Sequence, residues 1–151
     1  MMECIFCKKL NPDDIIYQTK YWQVFLAWDQ RYIGRCIIAL KRHCEDLAEL
    51  NEEEWNDFAE LVKKFESALK KSFNDTMFNW TCLMNDAYKE KVPHPYVHWH
   101  VRPRYNHKVK LDNLVFQDSE FGSHYERKPK REVSEEVKKM IIEKIKNNFP
   151  I

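Results

Sequence analysis

An apolar repeat in the middle of the sequence constrains the fold most strongly. Large apolar side chains recur there at intervals of three or four residues, at Trp55, Phe58, Val62, Phe65, Leu69 and Phe73. This spacing places them on one face of an α-helix. Asn51, with Glu54 three residues later, predicts a capping box at the helix N-terminus. The chain must therefore supply a second layer that covers a long apolar helix face.

Segments rich in branched and aromatic residues predict the strands of that second layer. They lie within residues 14–19, 22–28, 36–40, 77–85 and 97–102. A second amphipathic helix is predicted near the C-terminus, capped by Ser134, with Val137, Met140, Ile141 and Ile145 on its apolar face. The charged stretch 117–131 is predicted to be irregular. The order β-β-β-α-β-β-α predicts an α+β fold: an antiparallel sheet of about five strands with one long central helix and a C-terminal helix.

Length and charge exclude several classes of protein. The 151 residues, 44% of them hydrophobic, predict a single domain over 1–151 with a packed core. Twenty-five basic residues against 24 acidic ones give a net charge of +1, which argues against nucleic-acid binding. No apolar run approaches the ~20 residues that cross a bilayer, so no membrane association is expected. The N-terminus lacks the apolar stretch of a secretion signal, which predicts a cytoplasmic protein.

Cysteine and glycine usage narrows the chemistry further. The five cysteines are an odd number at low density, which favours thiols or metal ligands over disulfides. Gly34 and Gly122 are the only glycines, so neither a Walker loop nor a dinucleotide-binding fingerprint can be written. Any phosphate must therefore be held by side chains and ordinary backbone.

The segment HPYVHWHVRPRY, residues 94–105, carries half of the six histidines. Side chains alternate faces along a strand, so His98, His100 and Arg102 are predicted to share one face at intervals of about 6.6 Å. Imidazole near neutral pH is a nucleophile and a proton carrier, and guanidinium binds anions such as phosphate. The pattern indicates phosphate chemistry. The alternative is that these are partly buried polar residues without a catalytic role.

The same segment resembles the signature of the histidine triad (HIT) superfamily, in which three alternating histidines precede two apolar positions and often Pro-Arg. FLAWDQRYIGRCIIALKRHCEDLAEL, residues 25–50, is similar to the second block of that superfamily, and CIFC, residues 4–7, is similar to a common opening. The resemblance covers a core of about 4–105, with an extension over 106–151. Within the superfamily it is closest to bacterial and archaeal dinucleoside polyphosphate hydrolases.

The sequence departs from this signature at three places. Tyr96 stands at the first histidine of the triad, although His94 lies two residues earlier. Arg102 occupies one of the two apolar positions that follow the triad. The acidic residue that contacts the ribose in relatives aligns near Ala27, with Asp29 two residues further on. The first departure concerns metal binding, and the other two concern nucleotide preference.

The resemblance implies covalent catalysis by His98, the middle histidine. Its ring nitrogen would attack the α-phosphate of a nucleotide and form a nucleotidyl-histidine intermediate, which water then releases. We expect its other ring nitrogen to donate to a carbonyl, and His100 to donate to the phosphate or to the departing oxygen. Arg104 is a weaker candidate for phosphate neutralisation. The expected substrate contacts are Asn85, Tyr96, Arg102 and Asp29.

A structural zinc ion is a second implication of the resemblance. Relatives that bind zinc pair a Cys-x-x-Cys motif with the histidine of the Lys-x-His block and the first triad histidine. The ligands here would be Cys4, Cys7, His43 and, since position 96 is tyrosine, His94; Cys44 is another local option. The alternative is a pair of thiols near the N-terminus that bind no metal.

The predicted function is a nucleotide hydrolase that acts on a dinucleoside polyphosphate or a nucleoside phosphoramidate. One alternative is nucleotidylyl transfer or phosphorolysis, but relatives with that activity commonly have glutamine as the third residue of the triad. His100 therefore favours hydrolysis. A third possibility is a module that binds nucleotide or a partner protein without turnover. The resemblance also implies a homodimer.

Overall fold

The computed structural model describes residues 11–123 and 131–149. Its centre is a five-stranded antiparallel sheet in the order β1-β2-β3-β5-β4. The strands are β1 (Ile15–Gln18), β2 (Trp22–Leu26), β3 (Cys36–Leu40), β4 (Met77–Thr81) and β5 (His98–Arg104). The predicted α+β class and the five strands are confirmed. None of the described helices is long and apolar enough to cross a membrane.

The long helix α1 (Glu52–Phe73) begins with the predicted capping box. The Asn51 side chain accepts from the Glu54 backbone N–H at 2.9 Å, and a Glu54 carboxylate oxygen accepts from the Asn51 N–H at 3.0 Å. Asn74 ends the helix in the left-handed conformation, with φ of 54°. The carboxylate of Glu54 also accepts two hydrogen bonds from Arg42, so the helix start is tied to the segment that follows β3.

One face of the sheet packs against α1 and forms the main core. Buried side chains from the sheet meet the apolar face of the helix, and the members that lie deepest include Trp22, Ile38, Leu40, Val97, Val101, Leu61, Phe65 and Leu69. The C-terminal helix α2 (Glu135–Lys146) adds Ile141, Ile142 and Ile145 to this core. Its Ser134 cap accepts from the Val137 N–H, as predicted.

The opposite face of the sheet carries a smaller apolar cluster of Phe25, Ala27, Ile37, Ala39 and Tyr96. It lies on the face to which β5 also directs His98 and His100, because Ala39 pairs with His98 and Ile37 with His100. The histidines therefore stand beside a buried apolar patch on the face that α1 does not cover.

Strand β5 extends beyond the predicted segment 97–102, because it continues to Arg104 and Pro103 pairs with Phe78 of β4. Successive residues of a strand direct their backbone N–H and C=O groups to opposite sides. The Arg104 carbonyl accepts from the Thr76 N–H at 2.8 Å, on the β4 side, so the backbone nitrogen of Pro103 lies on the β3 side. A proline is tolerated there because it has no N–H group to donate. On that side the pairing with β3 has already ended at Val101.

A hairpin that the sequence did not predict follows β5. Its strands β6 (Val109–Leu111) and β7 (Leu114–Phe116) form a separate two-stranded sheet, joined through Asp112, which has φ of 49°. The loop beyond it is fastened to β5 by a buried ion pair, in which Arg104 binds Asp118 at 2.5 Å. This loop lies within the predicted irregular stretch 117–131.

Candidate active site

The two histidines of β5 project from the face of the sheet opposite α1. Trp99, between them, points the other way and stacks on Phe58 of α1, with ring centroids 5.1 Å apart. The alternation of faces in this strand is therefore as predicted. Both imidazoles are partly buried.

Hydrogen bonds fix the orientation of both rings. His98 Nδ1 is 2.7 Å from the backbone carbonyl of Tyr96, so Nδ1 carries a proton and donates, because a carbonyl can only accept. This confirms the expected anchor on a carbonyl. The Nε2 atoms of His98 and His100 are 3.1 Å apart. Nδ1 of His100 is buried, with no hydrogen-bond partner in the described part of the chain.

The surroundings favour the neutral form of both rings. Burial lowers the pKa of His98, against smaller opposing effects of the Tyr96 carbonyl and the Asp86 charge. Burial, followed by repulsion from His98 when that ring is protonated and from the positive charges of Arg102 and Arg35, lowers the pKa of His100 to about 3. Neutral imidazole is the form that can act as a nucleophile.

Two arginines lie on the same face as the histidines. Arg102 is only 8% exposed, and its Nη1 atom donates to Thr81 Oγ1 at 3.1 Å. Arg35, directly before β3, forms an ion pair with Asp29 at 2.8 Å. The cross-strand partner of His100 on β4 is Thr81. Thr81 also lines a cleft of about 750 Å³ that continues along β4 to Asn79 and Arg104.

The polar atoms of Tyr96 and Asp29 are engaged by the protein. The buried Tyr96 hydroxyl donates to the Leu40 carbonyl. The Asp29 carboxylate accepts from the Arg35 guanidinium and from the backbone N–H groups of Arg31 and Arg131. Both side chains therefore hold neighbouring segments together, and substrate contacts by either one stay a prediction.

Asn85 is exposed and begins a 3-10 turn over Asn85–Lys89 in the loop between β4 and β5. The next residue, Asp86, is close enough for its charge to affect both histidines, and it pairs with Lys89 at 2.5 Å. The structure thus brings the start of this turn to the histidine side of the sheet. A direct role of the Asn85 amide stays a prediction.

The family comparison agrees with this geometry, since the HIT domain model matches residues 8–107. The chain belongs to the HIT domain family. An uncharacterised HIT-like protein of Methanocaldococcus jannaschii is 30% identical over 105 residues, which cover 68% of this chain and 79% of that protein.

Solved HIT structures share the fold. A hypothetical histidine triad nucleotide-binding protein of Sulfolobus tokodaii has a TM-score of 0.66 at 20% identity and covers 95% of this chain and 93% of its own. The diadenosine triphosphate hydrolase of Plasmodium falciparum has a TM-score of 0.55 at 20% identity over 68% of each chain. A zinc-bound histidine triad family protein of Mycobacterium smegmatis has a TM-score of 0.53 at 20% identity, covering 89% of this chain and 85% of its own.

The zinc site implied by the HIT resemblance is not formed by the described residues alone. His43 is exposed, lies edge-on to the Tyr96 ring with centroids 5.1 Å apart, and has Nε2 3.3 Å from Glu45. His94 is exposed, and Cys4 and Cys7 lie outside the described residues. Within residues 11–123 and 131–149, no three His, Cys, Asp or Glu side chains are grouped as metal ligands. Tyr96 fills the first triad position of this HIT domain with a hydroxyl that is bound to backbone, which does not fit a fourth zinc ligand.

Two neighbours of the histidines in this HIT domain escaped the sequence analysis. Thr81 falls in a predicted strand, but which face it uses and which residue it opposes depend on the strand register. Arg35 lies two residues before Ile37, so the two side chains are expected on the same face of the sheet. That this is the face of His100 can be deduced only once β3 and β5 are aligned, which pairs Ile37 with His100. The alternation in β3 was the available signal, and the register was the missing information.

Proposed function

We propose that this HIT protein hydrolyses a nucleoside polyphosphate, such as a dinucleoside polyphosphate, through a nucleotidyl intermediate on His98. The Nε2 atom of His98 attacks the phosphorus that is joined to the nucleoside, and the bond from phosphorus to the leaving oxygen breaks. Water then cleaves the new P–N bond and releases the nucleoside monophosphate. One difficult displacement thereby becomes two easier ones.

The observation that carries the proposal is the anchoring of His98. Because Nδ1 donates to the Tyr96 carbonyl at 2.7 Å, the lone pair of the neutral ring lies on Nε2, which faces away from that carbonyl. The lowered pKa of His98 keeps this lone pair available near neutral pH. A nucleophile aimed by a second hydrogen bond is the arrangement that covalent catalysis requires.

His100 has the complementary role of hydrogen-bond donor. Its Nε2 atom lies 3.1 Å from the attacking nitrogen, within reach of an oxygen on a phosphorus bound there. Its Nε2–H group donates a hydrogen bond to the leaving oxygen, where negative charge develops as the bond breaks, and the leaving phosphate departs as an anion because its pKa is about 6. In the second step the attacking water gives one proton to the released monophosphate and the other to solvent. Asn85, which precedes Asp86 at the start of the turn between β4 and β5, would orient the phosphate through its amide.

The comparisons support this activity at the level of the family. A diadenosine triphosphate hydrolase and a histidine triad nucleotide-binding protein share the fold. A nucleoside phosphoramidate, which presents one phosphate in place of several, is the second substrate class to be tested.

The test is to incubate the protein and its His98→Ala variant with diadenosine tetraphosphate and to identify the products by chromatography. We expect adenosine monophosphate and adenosine triphosphate from the parent protein, and no release above background from the variant. His107→Ala, on a partly exposed histidine after β5, is the matched control and should retain activity. Equal turnover by the His98→Ala variant excludes the mechanism.

Adding inorganic phosphate separates the alternatives by product. A phosphorolytic enzyme would form adenosine diphosphate from the transferred nucleotide, whereas a hydrolase forms adenosine monophosphate with or without phosphate. A binding module would retain diadenosine tetraphosphate without forming either product.

We propose separately that zinc is bound by Cys4, Cys7, His43 and His94. The cysteine spacing and the position of His43 beside residue 96 support it, and the burial of Tyr96 opposes it. Metal analysis of protein purified without added zinc decides: about one zinc per chain supports the site, and a much smaller amount excludes it.

A homodimer and a cytoplasmic location complete the proposal, and the dimer rests on resemblance to the family. Sedimentation equilibrium over a range of protein concentrations tests the dimer. A single species with the mass of one chain would exclude it.

A further inference from the structure

A buried carboxylate without a hydrogen-bond partner lies at the corner between α1 and β4. Asp75 follows Asn74, the left-handed residue that ends α1, and one residue separates it from β4. Only 3% of Asp75 is exposed, and its Oδ1 atom is buried with no partner in the described part of the chain. Because an ionised carboxylate is costly to bury alone, this side chain points to a ligand that supplies the missing partner.

Asp75 lines a cleft of about 540 Å³ between the last turns of α1 and the start of β4. Glu66 and Lys70 contribute to its wall from the helix, and Met77 and Phe78 contribute from the strand. Met77 is 41% exposed although its side chain is apolar. Sites for small molecules have volumes of this order and combine apolar walls with a few polar groups. The cleft therefore has the size and the composition of a site for a small molecule.

The charges that line this cleft favour a positively charged ligand. Its two carboxylates are Asp75 and Glu66, and Glu66 keeps its charge because its Oε1 atom accepts from the neutral indole N–H of Trp80 at 2.8 Å. Its two lysines are Lys63 and Lys70. Lys63 is paired with the Glu60 carboxylate at 2.7 Å, so the lysine that balances the two carboxylates is Lys70. One negative charge is left over, and a cation would neutralise it.

The groups around Asp75 leave its carboxyl mostly ionised at neutral pH. Burial raises its pKa to about 6, against its own backbone N–H and the charge of Lys70. The charge of Glu66 adds to the increase in the pKa, and that of His107 opposes it. The nearby Tyr105 is neutral, because burial raises the pKa of its phenol. A cation that reaches the ionised carboxylate gains an ion pair that water screens only weakly.

We propose that the cleft at Asp75 binds a small organic cation, whose ammonium or amidinium group pairs with the Asp75 carboxylate while its apolar body rests on Met77 and Phe78. The site is separate from the histidines. Met77 lies four residues before Thr81, the cross-strand partner of His100, which corresponds to about 13 Å along β4. The inference does not depend on the proposed function, and it assigns a role to a buried group that the catalytic mechanism does not use.

The test uses two probes of the same shape, benzamidine and benzamide, of which only benzamidine is charged. The backbone amide signals of residues 75–78 in proton–nitrogen correlation spectra of the whole protein report binding at the cleft. We expect benzamidine to bind about 10- to 100-fold more tightly than benzamide, which is the contribution of a charge-assisted hydrogen bond. Asp75→Asn should remove this difference. Glu143→Gln, which removes an exposed carboxylate on α2, is the matched control and should keep it.

Two further measurements decide the matter even if Asp75→Asn does not fold. Lys70→Gln removes a competing positive charge, so benzamidine should bind this variant about two- to fivefold more tightly than the parent. Between pH 7.5 and 5 the affinity of the parent for benzamidine should fall about tenfold, because only about a tenth of a carboxyl group with a pKa of about 6 is ionised at pH 5.

Equal binding of the two probes by the parent would show that Asp75 is only a buried structural group, and it would overturn the site. Unchanged discrimination between the probes in Asp75→Asn, or an affinity that does not respond to pH, would have the same consequence. Weaker binding of benzamidine by Lys70→Gln would overturn the choice of a cation as the ligand.

Discussion

His98 and His100 face each other through their Nε2 atoms at 3.1 Å, while Nδ1 of His98 is held 2.7 Å from the Tyr96 carbonyl. The carbonyl requires a proton on Nδ1 of His98, so the neutral ring has its lone pair on Nε2. A hydrogen bond between the two Nε2 atoms then requires the proton to belong to His100. The buried Nδ1 of His100, which has no partner among the described residues, is consistent with an unprotonated nitrogen. The nucleophile is thus paired with a hydrogen-bond donor before substrate arrives.

This relationship predicts the tautomers of both rings. We expect His98 to be the Nδ1–H form and His100 the Nε2–H form, both neutral at pH 7, because burial lowers the pKa of each. Long-range proton–nitrogen correlation spectra of protein labelled with ¹⁵N distinguish the two tautomers directly. Spectra of the His98→Ala and His100→Gln variants assign the signals. An imidazolium at either position at pH 7 would contradict this arrangement.

The fold was predictable to the extent that it depends on periodic patterns. The helix face from Trp55 to Phe73 and the cap at Asn51 needed only local information, since neighbours along a helix are close in sequence. The hairpin of β6 and β7 was missed because each strand has three residues, too few for alternation to stand out beside charged side chains. Its turn at Asp112 was the available signal.

The site was predictable along one strand but not across strands. Alternation in β5 placed His98 and His100 together, because residues two apart share a face whatever the register. Arg35 and Thr81 become neighbours of His100 only through the pairing of β3 and β4 with β5, which composition does not encode. The hydrogen bonds that occupy Asp29 likewise come from residues distant in sequence, including Arg131.

Replacing His100 should show how much its N–H group contributes at the leaving oxygen. His100→Ala removes the donor, so we expect kcat for diadenosine tetraphosphate to fall by about 10²- to 10³-fold, as on loss of a preorganised donor. His100→Gln keeps an N–H group and should slow the reaction by less than about tenfold. Steady-state rates of the two variants measure the difference. Equal slowing of the two would show that His100 does not act by donating a hydrogen bond.

Acid should destabilise the folded protein through the same two rings. Their folded-state pKa values lie below the ordinary value of about 6.5, so the unfolded chain binds more protons as the pH falls below it. Stability contributed by the neutral rings is therefore present above pH 6.5 and is lost as the pH falls towards the folded-state pKa values, about 3 for His100. We expect His100→Gln to lose less stability than the parent between pH 7.5 and 5, by on the order of 1 kcal/mol after allowance for partial exposure. Urea unfolding at both pH values measures the free energy of unfolding of the two proteins. Equal losses of stability in the parent and in His100→Gln would refute the prediction.

The loop after β7 should depend on the ion pair between Arg104 and Asp118, whose side chains are 2% and 1% exposed. Asp118→Asn leaves the guanidinium buried without its counter-charge, so we expect the free energy of unfolding to fall by about 3–5 kcal/mol. Glu60→Gln, which breaks the exposed pair with Lys63, should cost less than about 1 kcal/mol. Urea unfolding of both variants provides the comparison, and a similar small loss for each would mean that the buried pair contributes little.

Gly34 should be the most sensitive glycine, because it combines a positive φ with a close approach to α1. Its φ is 82°, and a Cβ atom added there would lie 2.9 Å from Leu69 Cδ2 and 3.2 Å from Phe73 Cδ2. Gly122 has a similar φ of 87°, but no atom of the described residues lies within 4 Å of an added Cβ, so backbone strain is the expected cost of Gly122→Ala. We expect Gly122→Ala to cost about 1 kcal/mol and Gly34→Ala about 2–4 kcal/mol in the free energy of unfolding. Equal losses of stability in the two variants would show that α1 yields to the added methyl group and that the contact does not constrain this turn.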